Sequence, residues 1–171
     1  IDGATIVAGA RYDDDDGSNS GSVYVFRTSD GGATYGQVAK LTAADAATHD
    51  YFGYSVAIDG NAIVVGAWYD DDAGSASGSV YVFRTTDGGA TYGQVAKLTA
   101  DDGASYDMFG YSVAIDGNTI VVGARGDDDA SGCTDVYCIS ASAYVFRTSD
   151  GGATYTQIAK LTASDGAALD A

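Results

Sequence analysis

The tripeptide Ile-Asp-Gly begins at Ile1, Ile58 and Ile115, so the 171-residue chain repeats itself every 57 residues. A period of this length marks supersecondary units that bury their apolar faces against one another, not one irregular core. The second unit is the most complete: Phe52-Gly-Tyr-Ser-Val-Ala-Ile-Asp-Gly-Asn-Ala-Ile-Val-Val-Gly-Ala67, an acidic loop, Ser79-Val-Tyr-Val-Phe-Arg84, Thr85-Thr-Asp-Gly-Gly-Ala-Thr-Tyr92 and Gly93-Gln-Val-Ala-Lys-Leu-Thr99. The third carries six extra residues between Asp127 and Tyr144, and the first lacks the Phe-Gly-Tyr-Ser-Val-Ala piece.

Each unit reads as four strands. Phe52 to Ile58 mixes small and apolar residues. Asp59-Gly60 predicts a type I′ hairpin turn, because that turn needs positive φ. Ala62 to Ala67 is continuously apolar and β-branched, the pattern of a strand covered on both faces. Ser79 to Arg84 alternates Tyr81 and Phe83 against Val80 and Val82, and Gln94 to Leu98 alternates as well. All 24 acidic residues are Asp, accompanied by 24 Gly, which favours turns over helices. The expected fold is all-β: tandem four-stranded antiparallel blades of a β-propeller, three repeats in an incomplete ring. The units are residues 1–50 (a blade lacking its first strand), 51–107, and 108–171 with an insertion at about 130–140. Three blades do not close comfortably, so the chain is expected to be a segment of a longer protein or a protomer completed by neighbours.

Phe52-Gly…Gly66-Ala67 and Phe109-Gly…Gly123-Ala124 resemble the FG-GAP repeat, the blade of integrin α-subunit propellers and other extracellular proteins. Arg11, Trp68 and Arg125 stand where that motif ends in Pro. Thr28–Tyr35, Thr85–Tyr92 and Thr148–Tyr155 resemble the Asp-box hairpin of sialidase-like propellers, in which Asp30, Asp87 and Asp150 would staple the turn to its own backbone amides. The resemblance implies an extracellular adhesion or scaffold module. The calcium loop of the integrin-type repeat, however, would fall where this chain has only a short Asp-Gly-Asn turn.

The acidic loops lie elsewhere, after the Gly-Ala piece. Asp13, Asp14, Asp15 and Asp16, then Asp70, Asp71 and Asp72, then Asp127, Asp128 and Asp129 offer the oxygens that Ca²⁺ needs. The alternative is a set of solvated turns. Asp45 and Asp50, Asp102 and Asp107, and Asp165 and Asp170 cap turns or complete a cation site with a neighbouring acidic loop. Cys133 and Cys138 are the chain's only cysteines, and their closeness suggests a local disulfide and an oxidising compartment. Arg11, Trp68 and Arg125 are a candidate binding set, since exposed Trp and Arg are favoured contacts. Arg27, Arg84 and Arg147 end the third strand of each unit and are expected to pair with nearby Asp.

A formal net charge of −16 argues against nucleic acid, and no apolar run is long enough for a membrane span. No nucleophile elbow, phosphate loop or His-based metal motif is present. Near-identical repeats also disfavour catalysis, which needs one asymmetric constellation. The sequence therefore points to a non-enzymatic, secreted or cell-surface module, Ca²⁺-stabilised, that assembles with other copies, further repeats or matrix protein, including within a larger filament. The alternative is a glycan-binding propeller using Trp68 and the tyrosines. A glycoside hydrolase of sialidase-like type comes last, because the arginines recur instead of converging.

Overall fold

The computed structural model describes residues 1–128 and 141–163. Asp129, Cys133, Cys138, Asp165 and Asp170 lie outside the described residues, and with them the expected disulfide and the third linker pair. Within them the chain is all-β, with eleven strands and no helix. Three antiparallel sheets follow in chain order. The first holds β1 (Thr5–Ala10), β2 (Ser22–Arg27) and β3 (Gly36–Leu41). The second holds β4 (Ser55–Asp59), β5 (Ala62–Ala67), β6 (Ser79–Arg84) and β7 (Gly93–Leu98). The third holds β8 (Phe109–Asp116), β9 (Thr119–Ala124), β10 (Ser142–Arg147) and β11 (Thr156–Thr162). Each is a meander, and the three are not closed into a ring.

The sheets stack face to face as blades do. β4 packs against β8, so the two FG strands lie side by side where the blades converge, and β4 also meets the Gly-Ala strand β1 of blade 1. Two apolar clusters fill the two spaces between blades. Val23, Val25 and Leu41 of blade 1 meet Phe52, Ile63, Val65, Tyr81 and Phe83 of blade 2. Val64, Val80, Val82 and Leu98 from the other face of blade 2 meet Phe109, Ile120, Val122, Tyr144 and Phe146 of blade 3. The period-two alternation along β6 decides this division, since Tyr81 and Phe83 point one way and Val80 and Val82 the other.

The FG and Gly-Ala pieces meet across the gap between blades. A Cβ on Gly66 would overlap the carbonyl of Gly110, and one on Gly9 the carbonyl of Gly53. Each glycine lets one blade's backbone touch the FG backbone of the next. Phe52 sits outside β4, joined to Gly21 by a single parallel bridge.

The hairpin turn differs from expectation. Asp59 pairs with Ala62 as the last strand residue, so the central turn residues are Gly60 and Asn61. Only Gly60 has positive φ, at 54°, which is the requirement of a type II′ turn, not I′. The carboxylate freed by this register accepts the Gly117 amide of the next blade at 2.7 Å, and Asp2 likewise accepts the Gly60 amide at 2.8 Å.

Candidate functional site

Two places gather chemistry: the acidic loops and an aromatic hollow beside them. In each acidic loop the first Asp points inward. Asp70 is buried and accepts the Tyr81 hydroxyl at 2.7 Å, with the Lys97 ammonium at 3.1 Å. Asp127 is also buried, taking the Tyr144 hydroxyl at 2.5 Å and Lys160 at 2.9 Å. Asp13 accepts Tyr24 and Ser22, each at 2.9 Å, and lies 3.1 Å from Lys40. Those hydrogen bonds, Tyr24 first and then Ser22 and Lys40, hold the Asp13 carboxyl well below its usual range. Burial, reinforced by the neighbouring carboxylate, pushes the Tyr81 and Tyr144 hydroxyls up, so both remain donors.

The second Asp turns the other way. Asp14 accepts the Asn19 amide and Asp71 the Ala76 amide, each at 2.7 Å, fastening the loop to itself. The third returns to the lysine: Asp15 pairs with Lys40 and Asp72 with Lys97. Lys97 therefore sits among three carboxylates, because Asp45 of the preceding blade approaches it at 2.6 Å. Asp102 approaches Lys160 in the same way at 2.7 Å. Burial lowers the Lys97 pKa, but Asp45, Asp72 and Asp70 outweigh it and raise the group above its ordinary value. Asp16 and Asp128 are exposed.

The place where a divalent cation was expected is thus filled by a lysine ammonium, supplied by β3, β7 or β11. Among the described residues no group of three or more acidic, His or Cys side chains is arranged to hold a metal. The integrin-type calcium ligands do not fit either, since that loop is absent. Sequence reasoning missed the lysines, although a signal was there. The chain has only three, Lys40, Lys97 and Lys160, one at the same place in every unit.

The paired linker carboxylates divide their work. Asp45 and Asp102 reach a lysine of the next blade, whereas Asp50 and Asp107 accept the Ala47 and Ala104 amides of their own turns at 2.7 Å. Asp50 is buried, and desolvation, opposed by the Ala47 amide, lifts its pKa to about 6. In the hairpins, Asp30 accepts the Thr34 amide at 2.9 Å and the Thr34 and Thr28 hydroxyls at 2.6 and 2.7 Å. Asp87 and Asp150 do the same with Thr91 and Thr85, and with Thr154 and Thr148.

That consumption corrects the expectation for the strand-ending arginines. None of Arg27, Arg84 and Arg147 makes an ion pair among the described residues, because the hairpin carboxylates are already satisfied by threonine. Arg27 donates instead to the Gly88 carbonyl of the next blade's hairpin, and Arg84 lies against Gly152 in the equivalent place.

The hollow is lined by Arg11, Tyr12, Tyr51, Tyr54, Trp68 and Tyr69 and measures about 340 Å³. Trp68 lies parallel to Tyr51, ring centroids 5.8 Å apart, with Tyr69 and Tyr54 edge-on at 4.9 and 5.7 Å. The Arg11 guanidinium rests over the Tyr12 and Tyr54 rings at 4.6 and 4.9 Å and donates to the Tyr12 hydroxyl at 2.8 Å. Arg125 lies over Tyr111 at 5.2 Å, and Tyr111 packs on Tyr54 at 4.9 Å. The structure therefore brings Arg11 and Trp68 into one site and joins Arg125 to it through Tyr111 and Tyr54. The tyrosines that complete it come from different units and escape any reading along one segment.

The family model described as FG-GAP repeat matches residues 1–26, 35–83 and 92–146, together well over half of the chain. A search of curated proteins finds no match.

Proposed function

The chain belongs to the FG-GAP repeat family, and from that premise we propose that it is a structural repeat module of an extracellular adhesion or scaffold protein. FG-GAP repeats are in general non-enzymatic modules, and on our reading this chain carries no catalysis. Its work is cohesion: each blade docks a further blade of its own kind.

One observation carries this reading. The inter-blade contact made twice inside the chain is presented unmade at both ends. On blade 3 the positions of Val64, Val82 and Leu98 are held by Val121, Val145 and Leu161, and Leu161 is 54 % exposed where Leu98 is 5 %. On blade 1 the positions of Ile63, Tyr81 and Phe83 are held by Ile6, Tyr24 and Phe26, none fully buried. A surface that fits its own opposite face makes heterologous, head-to-tail contacts, which close as rings or run on as filaments. Further repeats or second copies of the chain answer that geometry equally well.

On this reading calcium is not what holds the module together. Lys40, Lys97 and Lys160 supply the positive charge that the acidic loops need. Secretion is proposed from the family and from the Cys133 and Cys138 pair; native protein should then show no thiol reactive towards a thiol reagent.

The test is sedimentation of the purified chain over a range of concentrations, beside Leu161→Asp. Association that rises with concentration and is abolished by the charge on the open face is the expected result. Identical monomeric behaviour of both would overturn docking between copies of the chain.

A further inference from the structure

We infer that the hollow between Arg11 and Trp68 is a binding site for a saccharide bearing a single carboxylate, such as a uronic acid unit. This inference does not depend on blade-to-blade docking.

Charge placement is the first ground. The chain has eight cationic side chains against 24 carboxylates. The three lysines lie among aspartates, and Arg27 and Arg84 reach the hairpin of the next blade, a position that Arg147 repeats on the open face. Arg11 and Arg125 are the two that remain. Both stand at the end of the Gly-Ala piece, both lie over tyrosine rings, and neither has a carboxylate partner among the described residues. In so acidic a chain an arginine without an acid is a cation held available. Arg11 is also held still by two rings and a hydrogen bond to Tyr12, so little freedom is lost when it takes a ligand.

The walls are the second ground. No carboxylate lines the hollow, and its six residues are one arginine, one tryptophan and four tyrosines. Such rings offer an apolar face with a polar tip at low conformational cost. A pyranose matches both, placing its C–H face on the rings and its hydroxyls on the phenols. Size agrees as well, since about 340 Å³ is at the small end of ligand sites and holds one or two sugar rings.

The third ground is what the net charge of −16 excludes. Polyanions such as heavily sulfated chains or nucleic acid are repelled by the surrounding surface, whereas one carboxylate against one fixed guanidinium gains a charge-assisted, bidentate contact. Asymmetry gives a fourth. Trp68 is the chain's only tryptophan, placed where the other two copies carry arginine, so the site occurs once in a repeating molecule.

The same uniqueness supplies the assay, because intrinsic tryptophan fluorescence reports Trp68 alone. The full chain is titrated with glucuronate, with glucose and with a short aspartate-containing peptide, and saturation-transfer NMR on each ligand provides a second readout. Glucuronate should give a saturable change in the millimolar range, with glucose about tenfold weaker or more. Arg11→Ala should weaken the glucuronate response about tenfold while Arg147→Ala, on the open face, leaves it unchanged. Equal responses to glucose and glucuronate, an unaltered response in Arg11→Ala, or no response by either method would overturn the assignment. A response to the peptide stronger than that to glucuronate would overturn the saccharide in favour of a protein ligand.

Discussion

Blade 2 and blade 3 carry nearly the same sequence and live in different surroundings. Every residue of β5 is buried, whereas its counterpart β9 alternates buried with open positions. Val64 is fully buried and Val121, its equivalent, is 37 % exposed. The two strands differ only in Thr119 for Ala62, so burial here is a property of the neighbour and not of the blade. Cohesion in such an array is a sum of repeat terms and interface terms, and an end blade has only one of its two interfaces.

The largest difference between the two blades is expected at the glycines. Gly66→Ala places a methyl group on the Gly110 carbonyl, backbone against backbone, and should cost more than about 3 kcal/mol in equilibrium unfolding. Gly123→Ala, whose one close contact is the Ser112 hydroxyl, should cost far less. Next come the paired leucines. Leu98→Ala should destabilise by about 2–5 kcal/mol, and Leu161→Ala by less than about 0.5 kcal/mol, in denaturant melts of the same chain. Equal losses would mean that the face of blade 3 is covered in solution.

Lysine replacement should follow. Lys97→Met leaves Asp45, Asp70 and Asp72 facing one another, with Asp70 buried, and should cost about 2–4 kcal/mol near neutral pH. The loss should shrink as the pH falls and the carboxylates protonate.

The smallest effect is set by Asp50. Its folded pKa, about 6, lies above the ordinary 3.8, so the folded chain holds a proton that the unfolded chain releases. Its contribution is fully present below about pH 4 and is lost as the pH rises through about 6. Aspartates held low, such as Asp13, Asp30, Asp87 and Asp150, act in the opposite sense and lose their contribution as the pH falls below the ordinary carboxylate range. Asp50→Asn should therefore flatten the fall in stability between about pH 4 and 6, gaining roughly 1–2 kcal/mol at pH 7. An unchanged pH profile would remove Asp50 from that role.

Much of the fold was legible because local patterns carry it. Alternation in Ser79 to Arg84 assigned Tyr81 and Phe83 to one apolar cluster and Val80 and Val82 to the other. The apolar run of Ala62 to Ala67 announced a strand covered on both faces. The turn type was misread because the strand register, not the Asp-Gly dipeptide, decides which residues are central. The candidate sites were legible only in part. Arg11, Trp68 and Arg125 stood out by differing between copies, but Tyr51, Tyr54, Tyr69 and Tyr111 are brought to them by blade stacking. Likewise, consecutive aspartates suggested a metal. Which of them face inward, and that a lysine from the last strand meets them, depends on two strands folding back across the same loop.

The claim that cohesion rests on blade faces and built-in lysines, not on a metal, is tested most directly by thermal unfolding of the chain in excess Ca²⁺ and in chelator. Melting temperatures in the two conditions should agree to within about a degree. A rise of many degrees with Ca²⁺ would contradict it, because only a ligand bound preferentially to the folded state produces such a shift.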